Sequence, residues 1–139
     1  WNKWFFGKDV LFDIAQCKAK PLIARVAHSC NDEPAWDRPH GMLARIIILD
    51  QFTRCAFRGT PQAMAHDALA ISLARQLGTS SGFNSLLPIE RFFVVLALSH
   101  AEELADNKLH VALAARLCDG LVSRSVQRDA VQHFFDNLQ

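Results

Sequence analysis

Residues 41–59 read GMLARIIILDQFTRCAFRG, and the reading of Met42 to Leu49 within them decides the fold. This run is apolar almost all round, as expected for a helix with neighbours on several sides. Its β-branched triplet, Ile46, Ile47 and Ile48, is equally compatible with a strand. A strand needs a partner of comparable quality to satisfy its backbone, and no other stretch of the chain supplies one. A helix ended by Gly59 is therefore expected, with the remaining elements arranged around it.

Upstream, Asp32, Glu33, Pro34, Asp37 and Pro39 mark a linker anchored by Trp36. Before it, Val10, Phe12, Ile14, Cys17, Leu22, Ile23, Val26 and Ala27 follow a helical period from an Asp9 cap, with Pro21 expected in the first turn of a second helix. Trp1, Trp4, Phe5 and Phe6 crowd before Gly7 and read as an aromatic lid or short helix.

Downstream, Thr60 and Pro61 open an Ala- and Leu-rich helix stopped by Gly78, with Asp67 a competent internal cap. Pro88 and Glu90 start a helical pattern that reaches Gly120. That span is long for a globular helix, so a break is expected near residues 105–107, with Asp106 as the new cap. Val122 to Leu138 forms a final amphipathic segment. The expectation is an all-α fold, a compact array of antiparallel helices in a single domain over 1–139. The start at Trp1 reads as trimming at one or both ends.

Composition narrows the function classes. Lys plus Arg number 15 and Asp plus Glu 14 in 139 residues, a net charge of +1, which gives no global field for nucleic acid or an anionic bilayer. The apolar runs fall far short of the ~20 residues that cross a membrane, and no leader pattern opens the chain. Cys17, Cys30, Cys55 and Cys118 form no CxxC pair, and each lies among apolar neighbours. A soluble protein of the cytoplasm is expected, with neither a nucleic-acid nor a membrane partner.

Two polar constellations stand out. Asp50, Arg54 and Arg58 advance by about 40° per step at 3.6 residues per turn and so share one face if the helix continues. His100, Glu103, Asp106 and His110 fall on one arc of a continuous helix, where a metal or an acid–base role competes with simple hydrogen-bonded packing. If helices alternate in direction, Asp50 and His100 emerge at the same end. Arg54 and Arg58 would there meet Glu102, Glu103 or Asp106, which places Asp50, Arg54, Arg58, His100, Glu102 and Asp106 in one cluster.

The blocks Leu49-Asp50-Gln51-Phe52-Thr53-Arg54, Phe57-Arg58-Gly59-Thr60-Pro61 and Asp67 resemble the LDQFPRN, (F/Y)RG(T/S) and aspartate signature of the DUF924 family, bacterial proteins of uncharacterised function. Leu87-Pro88, Glu90-Arg91, Phe93, Ser99-His100, Glu102 and Leu104-Ala105-Asp106 resemble its second block, and Trp4-Phe5, Lys8-Asp9 and Phe12-Asp13 its opening. The chain departs at Thr53, Cys55, Ala97, Ala101 and Asn107, and the family's terminal block is at best echoed by His133 to Asp136. The resemblance implies a tetratricopeptide-like array without an established reaction.

No HExxH, GxSxG, GxxxxGK[ST] or GxGxxG motif occurs, so no cofactor or metal is expected. The leading expectation is a scaffold that binds a protein or peptide. The alternative is a small-molecule enzyme, or a binder of a small anionic ligand, built on the Arg/His/acid cluster.

Overall fold

The computed structural model describes residues 17–28 and 34–122. Among them every regular element is helical: α1 (Lys20–His28), α2 (Pro39–Ile47), a π-helical turn (Ile48–Phe52), α3 (Thr53–Ala56), α4 (Asp67–Thr79), α5 (Gly82–Ser85), α6 (Pro88–Leu98) and α7 (Leu104–Val122). Short 3-10 turns cover Cys17–Ala19, Pro34–Asp37 and Pro61–Met64. The aromatic lid at 1–6, the Asp9 cap and the segment from 123 onward lie outside the described residues.

The stretch that decides the fold is helical, as its apolar perimeter requires. Ile46 and Leu49 are fully buried, with Met42 and Leu43 beside them. They share one continuous core with Leu73, Ala74 and Leu77 of α4, Val94, Val95 and Leu98 of α6, and Leu113 of α7. Trp36, in the turn before α2, packs against this core as a loop anchor should.

Contacts at the helix ends set the directions. His40 at the start of α2 lies 3.6 Å from Glu90 at the start of α6, and Asp50 and His100 meet at their far ends, so these helices run parallel. Between them α4 runs the opposite way, since Asp67 at its start reaches Arg54 while Gly82, just past its end, lies against Pro39. Helix α7 reverses again, with Asn107 in its first turn donating to Ala101 O beside His100 and Arg116 donating to Asn84 at the other end.

Several boundaries differ from expectation. Pro21 does sit in the first turn of α1. The run from Pro61, where Asp67 left an internal break open, is divided there, a 3-10 turn coming first and α4 beginning at Asp67 with His66 as its N-cap. Gly78 is not a stop but lies within α4, where a side chain would run into Leu113 of α7. Gly120 likewise lies within α7. The long C-terminal pattern breaks at Ser99–Glu103 rather than at 105–107, so Asp106 occupies the first turn of α7 and does not precede it.

Candidate functional site

The site is organised by the π-helical turn. Ile48, Leu49, Asp50 and Gln51 are all buried in succession within it. Thr53 Oγ1, just past the turn, donates to Ile48 O, five residues back, at 3.3 Å. Such turns recur where a helix must aim functional side chains. Here it carries a carboxylate and an amide into the interior.

Asp50 is 2% exposed, a burial that an unpaired carboxylate could not sustain. Its Oδ1 receives Arg54 Nε at 3.0 Å and lies 2.9 Å from His100 Nδ1, while Oδ2 accepts from the Gln51 side-chain amide. Burial pushes this carboxyl upward, but His100, Gln51 and Arg54 together outweigh it and hold it below the usual carboxylate range. An ionised carboxylate can only accept, so His100 donates to it from Nδ1. Its Nε2 makes no hydrogen bond among the described residues, and the side chain keeps 26% exposure.

Arg54 is shared. Its Nη2 reaches Asp67 Oδ2 at 2.7 Å, so one guanidinium spans two carboxylates. Asp67 Oδ1 is buried and has no hydrogen-bond partner among the described residues. Burial raises the Asp67 carboxyl above its ordinary value; Arg54 opposes this and the Asp50 charge adds to it.

Of the residues expected to cluster, the structure unites Asp50, Arg54 and His100 and separates the others. Helix α3 ends at Ala56, which leaves Arg58 in the following turn, where its Nη2 donates to Cys55 Sγ at 3.6 Å. Glu102 is exposed on the turn after His100. Asp106 is buried beneath Arg75, whose Nε and Nη2 each donate at 2.6 Å to one of its oxygens. This fork holds the Asp106 carboxyl below its ordinary value against burial. His110 is not part of the cluster either, its Nδ1 lying 2.9 Å from Val95 O. The arc expected to join His100, Glu103, Asp106 and His110 fails because the chain turns at Ser99–Glu103. Among the described residues no group of three or more His, Cys, Asp or Glu is placed to hold a metal ion.

The profile of a bacterial protein family of unknown function, DUF924, matches residues 1–136. This chain belongs to the DUF924 family. It is also similar to a solved structure, a protein of unknown function from Agrobacterium tumefaciens, at 28% identity and a TM-score of 0.63, covering 96% of this chain and 76% of that one. Among curated proteins, no relative matches.

In this DUF924 chain, two members of the Asp50 network, Gln51 and Asp67, and the separate partner of Asp106, Arg75, were not placed by sequence reasoning. Gln51 follows Asp50 directly, and its side-chain amide reaches Asp50 Oδ2 within the π turn. Asp67 stood out as a helix cap and a family position; it is instead the first residue of α4, after the His66 N-cap, and its side chain goes to Arg54. Arg75 carried no signal, since its partner lies 31 positions away.

Proposed function

We propose that the chain binds and acts on a small polar molecule at the Asp50–His100 end of the helices, with His100 as the acid–base group. The observation that carries this reading is the division of labour on one imidazole. Nδ1 is committed to a buried, ionised carboxylate, and Nε2, on a partly exposed side chain, makes no hydrogen bond among the described residues. A carboxylate in that position fixes the tautomer and stabilises the imidazolium that forms when Nε2 takes a proton. Arg54 and Gln51 hold the carboxylate in turn, so the base is oriented before any ligand arrives.

A second reading, the tetratricopeptide-like scaffold for a peptide, has its own support. Leu104 and Val111, 68% and 65% exposed, lie two turns apart on the outer side of α7. The free thiols of Cys17, Cys55 and Cys118 suit a reducing cytoplasm under either reading.

The test is the tautomer and reactivity of His100. Long-range nitrogen–proton NMR should show the Nδ1–H form, and diethyl pyrocarbonate should modify His100 at Nε2 with Asp50→Asn altering its rate. Small-molecule extracts incubated with wild type and His100→Ala should then differ in one converted species. An Nε2–H tautomer would remove the acid–base reading. A peptide ligand lost in Leu104→Asp, with no species converted, would favour the scaffold.

A further inference from the structure

We infer that Arg91 and Arg116, at the end of the helices away from His100, form a second site, which takes the phosphate group of a small molecule. It does not depend on the His100 reading. The two side chains come from different helices and converge on α5. The Cζ of Arg91 lies 5.6 Å from the centre of the Phe83 ring and that of Arg116 5.5 Å from it, so two positive charges are held beside one buried side chain. Both also bind Asn84, Arg91 Nη2 donating to its backbone O at 2.6 Å and Arg116 Nη2 to its side-chain Oδ1 at 2.8 Å.

Holding α5 in place accounts for these bonds but not for the charge. The remaining contact, Arg91 Nε to Leu86 O at 2.9 Å, again ends on a carbonyl, so every acceptor is neutral and a neutral donor would serve it. Neither arginine forms an ion pair among the described residues, whereas Arg45, Arg54 and Arg75 each face a carboxylate at 3.8 Å or less. Of the acids nearest in sequence, Glu90 accepts from Leu87 N at 2.7 Å and lies against His40, and Asp119 of α7 forms no ion pair among the described residues. Two like charges therefore sit together with no carboxylate between them, an arrangement that repels itself and that an anion relieves.

The donors set the ligand class. Arg91 spends Nε and Nη2 on the partners above and Arg116 spends Nη2 alone, so Nη1 of both and Nε of Arg116 make no hydrogen bond among the described residues. Arg116 and Asn84 are exposed. An oxyanion meets these donors without stranding a buried carboxylate, which the Arg54 and Arg75 forks do not allow. A phosphate group carries more than one charge and has oxygens on several sides, so it can engage two guanidiniums at once. A single carboxylate, with one charge and two oxygens in one plane, matches only one of them.

The experiment follows the arginine Nε–H signals of the whole chain by NMR at constant ionic strength, while inorganic phosphate, glycerol phosphate or acetate is added near neutral pH. Saturable shifts at Arg91 and Arg116 with both phosphates, in the millimolar range or below, and none with acetate are expected. Either order of the two phosphates upholds the site, tighter glycerol phosphate marking an organic ester and tighter inorganic phosphate the free ion. Arg116→Gln, on an exposed side chain, should raise the concentration needed at Arg91 by roughly tenfold, and Arg116→Lys, which keeps the charge but loses the fork, should fall between. Circular dichroism of both variants should match wild type. The absence of a saturable shift with either phosphate, an equal response to acetate, or phosphate binding unchanged in Arg116→Gln or Arg116→Lys overturns the inference.

Discussion

His100 Nδ1 lies 2.9 Å from Asp50 Oδ1, although 50 positions separate the two residues. That one bond ties the end of the α2 helical run to the turn that follows α6. It also places an imidazole, a guanidinium and two carboxylates within one hydrogen-bonded chain.

Asp50→Asn should cost about 2–4 kcal/mol, because Arg54 and His100 lose the charge that receives them while remaining largely out of water. Urea unfolding checks this. A loss below about 0.5 kcal/mol, the range of ordinary surface changes, would show that Asp50 does not anchor the network.

Acid should act on the two carboxylates with opposite signs. Asp50 sits below its ordinary 3.8 in the folded state, so its stabilisation is present above that value and lost as pH falls through the lower, folded one. Asp67 sits above 3.8, so its contribution is greatest in acid and is lost as pH rises through its folded value. Asp50→Asn should therefore be most damaging at neutral pH and converge on wild type in strong acid. Asp67→Asn should improve relative to wild type as pH rises from 3 towards 7, at ~1.36 kcal/mol per unit of Asp67 shift before solvent screening. Unfolding curves across that range test both slopes.

Arg54→Lys should recover less than half of the stability lost in Arg54→Ala. An ammonium cannot reach Asp50 Oδ1 and Asp67 Oδ2 together as the planar fork does. The alanine variant should lose about 1–3 kcal/mol, against about 0.5 or less for Glu102→Ala on the exposed turn. Equal behaviour of the lysine and arginine proteins would argue against a shared guanidinium.

Gly41→Ala should destabilise by about 1–3 kcal/mol despite the roughly 1 kcal/mol gain in helix propensity. An added methyl would run into the backbone of the preceding turn, at Ala35 O and the Cα of Trp36, which cannot swing aside as a side-chain tip can. Thermal unfolding that rises in this variant would contradict the close approach of that turn to α2.

Local chemistry made the helices legible. The apolar perimeter of 42–49, the proline starts at Pro21, Pro61 and Pro88, and the turn at Gly59, whose φ is +78°, each act within a few residues of chain. Alternating direction then sufficed to bring Asp50 and His100 to one end, and the family signature was already present in the residues from Trp4 to Asp106. Which donor meets which acceptor was decided only in three dimensions. Arg58 left the helical face because α3 stops at Ala56, and Asp106 went to Arg75 because the chain turned at 99–103. Arg54 acquired Asp67 because α4 begins where α3 ends its run. Periodicity reports which face of a helix is apolar, but ion pairs between helices depend on where each helix stops. A shift of one turn at such a boundary moves a side chain by about 5 Å, more than the reach of a hydrogen bond.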